Sequence, residues 1–97
     1  MRSKKPYRSK MRILADMMRA ILEEGEGGAG PTRILYGANL SHDRLKQYLD
    51  ELIEKGLVRE NNVDGNSRTY VLTDRGREFL REFAKIDRFA QAFGIEI

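Results

Sequence analysis

A helical apolar stripe that stops at a glycine and gives way at once to two short β-compatible runs restricts this chain more than any other feature. Leu45, Tyr48, Leu49, Leu52 and Ile53 recur at helical spacing, and Gly56 stands where a left-handed residue ends a helix. Residues 57–63 and 67–72 follow, with Val58, Val63, Tyr70 and Leu72 as strand formers. Between them Asp64-Gly65 is a strong hairpin signal, with Asn62 and Asn66 beside it.

The flanking segments complete the pattern. Met11, Leu14, Met17, Met18, Ile21 and Leu22 predict a first helix, capped by Ser9 and stopped at Gly25. Pro31 and Thr32 open a short second helix, proline suiting its first turn and threonine a cap, while Gly37 weakens it. Asn39-Leu40 makes a turn, and Ser41 caps the third helix, with Leu40 and Leu45 as a hydrophobic staple. Thr73 with Asp74 caps a last helix that runs to about Phe93. The order helix, helix, helix, strand, strand, helix is mainly α (α+β) and matches a winged helix-turn-helix. It divides into a flexible basic arm (1–8), the winged helix-turn-helix (9–73) and a C-terminal helix (74–97) that serves as a dimer contact.

Gly25-Glu26-Gly27-Gly28-Ala29-Gly30 invites comparison with a phosphate-cradling loop. Such a loop needs a preceding strand and a Gly-Lys-Ser/Thr ending; here a helix precedes and Gly30-Pro31-Thr32-Arg33 follows. The loop reads as a flexible connector.

Composition narrows the function. Ninety-seven residues, 40% hydrophobic and 34% charged, make one domain. There is no apolar run long enough for a membrane span and no apolar stretch behind the basic N-terminus for a signal peptide. With no cysteine and one histidine, a disulfide scaffold, a cysteine nucleophile and a metal site are not expected. No cofactor is expected either. The net charge of +3 conceals a division: Arg2, Lys4, Lys5, Arg8, Lys10 and Arg12 face no acid in residues 1–12, while the remaining 85 carry 12 bases and 15 acids. A basic arm on a mildly acidic body suits a polyanion, nucleic acid before membrane.

The third helix is polarised along its axis. His42, Arg44, Lys46 and Gln47 occupy its first two turns, with Asp43 the lone acid; Asp50, Glu51 and Glu54 occupy the rest. A recognition helix presents its N-terminal end to base edges. Gln47 suits adenine, Arg44 or Lys46 guanine or phosphate, and His42 a base or phosphate. Ser41 and Arg33 join this set. In the wing, Arg59, Arg68 and Asn66 are donors for phosphate oxygens, and the arm bases Arg2, Lys4, Lys5 and Arg8 would add sequence-independent contacts. On the last helix, Phe79, Phe83, Ile86, Ala90 and Phe93 recur as a heptad seam flanked by Phe89. Left bare on a monomer it would be a costly apolar patch, so it predicts a homodimer.

Residues Pro31-Thr32-Arg33-Ile34-Leu35-Tyr36-Gly37-Ala38-Asn39-Leu40-Ser41 resemble a signature of small archaeal winged-helix proteins, the family of the Sulfolobus ten-a chromatin protein and related transcriptional regulators. The likeness continues at Tyr48, Leu52-Ile53, Gly56-Leu57 and Tyr70-Val71-Leu72-Thr73-Asp74-Arg75-Gly76. It covers residues 9–85 and leaves the basic arm outside. The resemblance implies double-stranded DNA binding, a homodimer through the C-terminal helix and an archaeal source. In the chromatin protein that helix is long and pairs as an antiparallel coiled coil. Here it stops about 20 residues after Thr73, a departure that points to a regulator.

Two functions follow as expectations. The first is sequence-specific or architectural binding of double-stranded DNA by a homodimer, in the cytoplasm with the nucleoid. The second, suggested by the acidic half of the third helix, is a protein-interaction module in a transcription or replication complex. An enzyme is not expected: Asp50 and Glu54 lie i, i+4 on an exposed face with no nucleophile beside them, and nothing suggests a cleft.

Overall fold

The computed structural model describes residues 8–62, 65 and 67–97. Its elements are α1 (Lys10–Glu23), a 3-10 turn (Gly25–Gly27), α2 (Pro31–Ala38), α3 (His42–Glu54), β1 (Val58–Asn62), β2 (Arg68–Leu72) and α4 (Asp74–Ala92). The order is the one the sequence predicts.

Capping fixes the helix starts. Ser9 Oγ accepts from Arg12 N at 3.0 Å, and Ser41 Oγ from Arg44 N at 3.2 Å. Thr73 Oγ1 accepts from Gly76 N at 3.1 Å and donates to Gly56 O at 2.6 Å, so one hydroxyl caps α4 and ties the two ends of the hairpin together. Helix α2 differs: Gly30 is its N-cap, with Pro31 in its first turn, so Thr32 lies inside the helix rather than capping it. Asn39 ends α2 in the left-handed region (φ 55°), and the turn passes straight to Ser41.

The four helices and the hairpin close around one core. Met17, Met18 and Ile21 of α1, Ile34 of α2, Leu52 of α3 and Phe83 of α4 are its largest fully buried side chains. Each such side chain contributes roughly 1.5–3 kcal/mol by leaving water. Strands β1 and β2 pair antiparallel, from Val58 opposite Leu72 to Asn62 opposite Arg68, and Val58, Tyr70 and Leu72 turn into the core.

The glycine-rich loop is not a loose connector. Ala29 and Tyr70 exchange two backbone hydrogen bonds, each 2.9 Å, so the loop adds a one-residue third strand beside β2. Gly28 makes that approach possible. Its φ is 82°, and a Cβ there would lie 2.8 Å from Tyr70 O and 2.9 Å from Val71 Cγ1.

Helix α4 corrects the single seam read from the sequence. Phe83 is 2% exposed and Ala90 is buried, so both belong to the domain's own packing and not to a dimer contact. Phe79 is half-buried and stacks on Phe83, ring centroids 6.3 Å apart. Phe83 faces α1, with the Arg12 guanidinium over its ring. The Ile86–Phe93 column lies roughly 60° around the helix, because three residues advance about 300°. Ile86, Phe89 and Phe93 stay 52%, 68% and 68% exposed. Gly94 (φ 75°) then reverses the chain, and Ile97 packs back against the core.

Candidate nucleic-acid interface

The first two turns of α3 present His42, Arg44, Lys46 and Gln47 to solvent. Ser41 spends its oxygen lone pair on Arg44 N, which leaves its O–H free to donate outward. Arg44 enters no salt bridge among the described residues. Lys46 Nζ lies 3.3 Å from Asp50, in a pair so exposed (81% and 66%) that it is worth less than about 1 kcal/mol and yields readily to a stronger anion.

Two of the four acids of the same helix, Asp50 and Glu51, have internal partners, and Asp43 is exposed. Glu51 lies 3.0 Å from Lys10 of α1 and 3.7 Å from Lys55. The Lys10 ammonium, against the pull of desolvation, holds its carboxyl below the usual range. Asp50 is engaged with Lys46, which leaves Glu54 exposed.

Two predicted contact residues are engaged with carboxylates of α1 and its C-cap. Arg8 is half-buried: Nη1 is 2.8 Å from Asp16, and Nη2 donates to Asn39 O at 3.1 Å. It clamps the α2–α3 turn to α1 instead of swinging free with the arm. Arg33 reaches back to the end of α1, 2.6 Å from Glu24 and 3.7 Å from Glu23. Arg2, Lys4, Lys5 and Asn66 lie outside the described residues.

The wing arginines part company. The register pairs Arg59 with Val71 and Asn62 with Arg68, and strand alternation then puts Arg59 and Arg68 on opposite faces of the ribbon. Arg68 lies 3.3 Å from Glu60 in an exposed pair.

The winged helix-turn-helix family profile matches residues 7–91. The chain belongs to the winged helix-turn-helix family. No curated protein matches it. Among solved structures, it is similar to Sso10a-2, a DNA-binding protein from Sulfolobus solfataricus, with 22% identity, TM-score 0.75 and coverage of 89% of this chain and 85% of that one. It is similar to AF1382 of Archaeoglobus fulgidus (20% identity, TM-score 0.65, 80% and 86% covered). A variant of the Staphylococcus aureus regulator MepR bound to an oligodeoxyribonucleotide also matches (17% identity, TM-score 0.69, 84% and 61% covered).

This winged helix carries surface features that sequence patterning missed. Tyr36 of α2 is 74% exposed although it sits within the helix-turn-helix. An open groove of about 680 Å³ lies between the end of α1, the root of the hairpin and the start of α4, with Arg59 and Arg75 on its walls. No local pattern marks such a cleft, because its lining comes from segments far apart in the chain. Among the described residues no cluster of His, Cys, Asp or Glu could hold a metal ion, and no helix is long and apolar enough to cross a membrane.

Proposed function

We propose that this winged helix binds double-stranded DNA with the N-terminal half of α3 in the major groove, and acts as a homodimeric transcriptional regulator of the nucleoid. The observation that carries the reading is the exposed quartet His42, Arg44, Lys46 and Gln47, whose Arg44 has no acid partner among the described residues. Glu51, an acid of the far half of α3, is held by Lys10 and Lys55. In this reading Gln47 meets base edges, while Ser41, His42, Arg44, Lys46 and Arg68 meet bases or phosphates. The DNA-binding and DNA-bound relatives support the assignment.

Arg8 is anchored at Asn39, two residues before Ser41. In this reading the arm bases Arg2, Lys4 and Lys5 add sequence-independent phosphate contacts.

Ile86, Phe89 and Phe93 are the proposed dimer surface. Phe89 and Phe93 pack on each other, centroids 5.1 Å apart, and still leave most of their area in water. A partner that covers them also doubles the recognition helices, and a C2 dimer then reads two half-sites about one helical turn apart or a multiple of it.

Selection of bound fragments from random duplexes tests the assignment. A consensus with two half-sites supports a dimeric regulator. Bound fragments without a consensus support an architectural role, and no retained fragments would refute DNA binding.

A further inference from the structure

The arginines of this chain divide into those with a carboxylate and those without. Among the described residues, Arg19, Arg44, Arg59, Arg75, Arg81 and Arg88 enter no salt bridge. Arg44 belongs to the α3 surface. Four of the other five, Arg19, Arg59, Arg75 and Arg81, line two adjoining grooves.

The grooves form one continuous surface, because Leu22 and Arg77 border both. The larger, about 680 Å³, has Arg59 and Arg75 on its walls and Val71 in its lining. The smaller, about 340 Å³, has Arg19 and Arg81. Leu22 stays 47% exposed in the middle of this charge. The surface lies away from the DNA-facing end of α3. Gly56 borders the larger groove, and the twelve residues from Arg44 to Gly56 correspond to about 18 Å along a helix.

We propose that this surface docks an acidic segment of a partner protein that seats one large apolar side chain on Leu22. Guanidinium forks bind carboxylates bidentately; of the four here Arg59, Arg75 and Arg81 enter no salt bridge, and Arg19 feels Asp87 only at longer range. Leu22 gives the groove an apolar wall for which a phosphate strand has no use. Glu26 and Asp74 also line the larger groove. A continuous phosphate backbone would be repelled by them, whereas a peptide can space its carboxylates to avoid them. The two joined grooves suit an extended segment rather than a compact ligand. The proposal stands apart from DNA binding at α3 and does not depend on it.

The probe is a fluorescein-labelled twelve-residue peptide of alternating glutamate and serine with one central phenylalanine, followed by anisotropy and by amide chemical shifts of the full chain. Saturable binding is expected, with shifts confined to the neighbourhood of Leu22, Arg59 and residues 75–81. Arg75→Gln with Arg81→Gln, and separately Leu22→Ser, should each weaken it by about tenfold. Both sets of variants alter exposed side chains, and unchanged circular dichroism confirms folding. They should leave duplex binding at α3 unaltered. Absence of saturable peptide binding at low salt would overturn the proposal. So would shifts that map to residues 42–47, equal binding by a peptide with glycine in place of phenylalanine, or a duplex that moves the groove residues while the peptide does not.

Discussion

Arg12 Nη2 lies 2.6 Å from the Asp87 carboxylate, and the same guanidinium sits 5.0 Å over the ring of Phe83. One side chain near the start of α1 thus grips α4 twice, across 75 residues of sequence. Gln91 Nε2 also donates to Asp87, at 3.2 Å. The Arg12 guanidinium, against the pull of desolvation, holds the Asp87 carboxyl below the usual range.

That contact sets a sign for the pH dependence of stability. A carboxyl whose pKa is lower in the folded state than in the unfolded chain stabilises the fold above the unfolded value, about 3.9 for aspartate. The contribution is lost as pH falls through the lowered folded value. Asp87→Asn should therefore melt below the parent at pH 7, and the gap should narrow as pH falls below about 4. Thermal melts of both proteins from pH 7 to pH 2.5 check this. A gap that is constant with pH would remove the ion pair from the explanation.

Phe83 and Phe89 should respond in opposite ways although both stand on α4. Phe83 is 2% exposed, and Phe83→Ala should cost about 3–5 kcal/mol in urea unfolding. Phe89 is 68% exposed, so Phe89→Ser should leave the fold of one chain intact. Sedimentation should then show a shift from dimer to monomer, whereas an unchanged sedimentation coefficient would remove Phe89 from the interface.

Gly76 in the first turn of α4 carries the approach of that helix to the start of the hairpin. A Cβ there would overlap Leu57 O, a backbone atom that cannot swing aside. Gly76→Ala should destabilise by about 1–3 kcal/mol, as overpacking does, despite alanine's better helix propensity. Chemical denaturation measures it, and a stabilised variant would contradict the close approach.

Helices and hairpin were legible in the sequence because each carries a local signal: the caps Ser9, Ser41 and Thr73, the stop at Gly56, and the Asp64-Gly65 turn. What needed the structure were relations between distant segments. Ala29 pairing with Tyr70 leaves no trace in a run of glycines, since a single bridged residue has no periodicity. The heptad reading of α4 merged two columns that packing separates, because spacing gives neighbours on a helix face and not which of them meet α1. Charge at the start of α3 was readable from order alone. The assignments of Arg8 and Arg33 were not, because Asp16, Asn39 and Glu24 reach them only in three dimensions. The arginine-lined groove was hidden for the same reason.

The assignment of α3 to DNA rests on a countable electrostatic quantity. In the proposed complex Arg44, Lys46, Arg68 and the arm bases Arg2, Lys4 and Lys5 would make about six phosphate-scale contacts, which gives a slope of about −5 for log K against log salt on a duplex. Anisotropy titrations from 50 to 300 mM salt measure that slope for the parent and for Arg44→Gln with Lys46→Gln. Tight low-salt binding, with the slope reduced by about 2 in the double variant, is the predicted result. No duplex binding at low salt, or a slope that the double variant leaves unchanged, would contradict it.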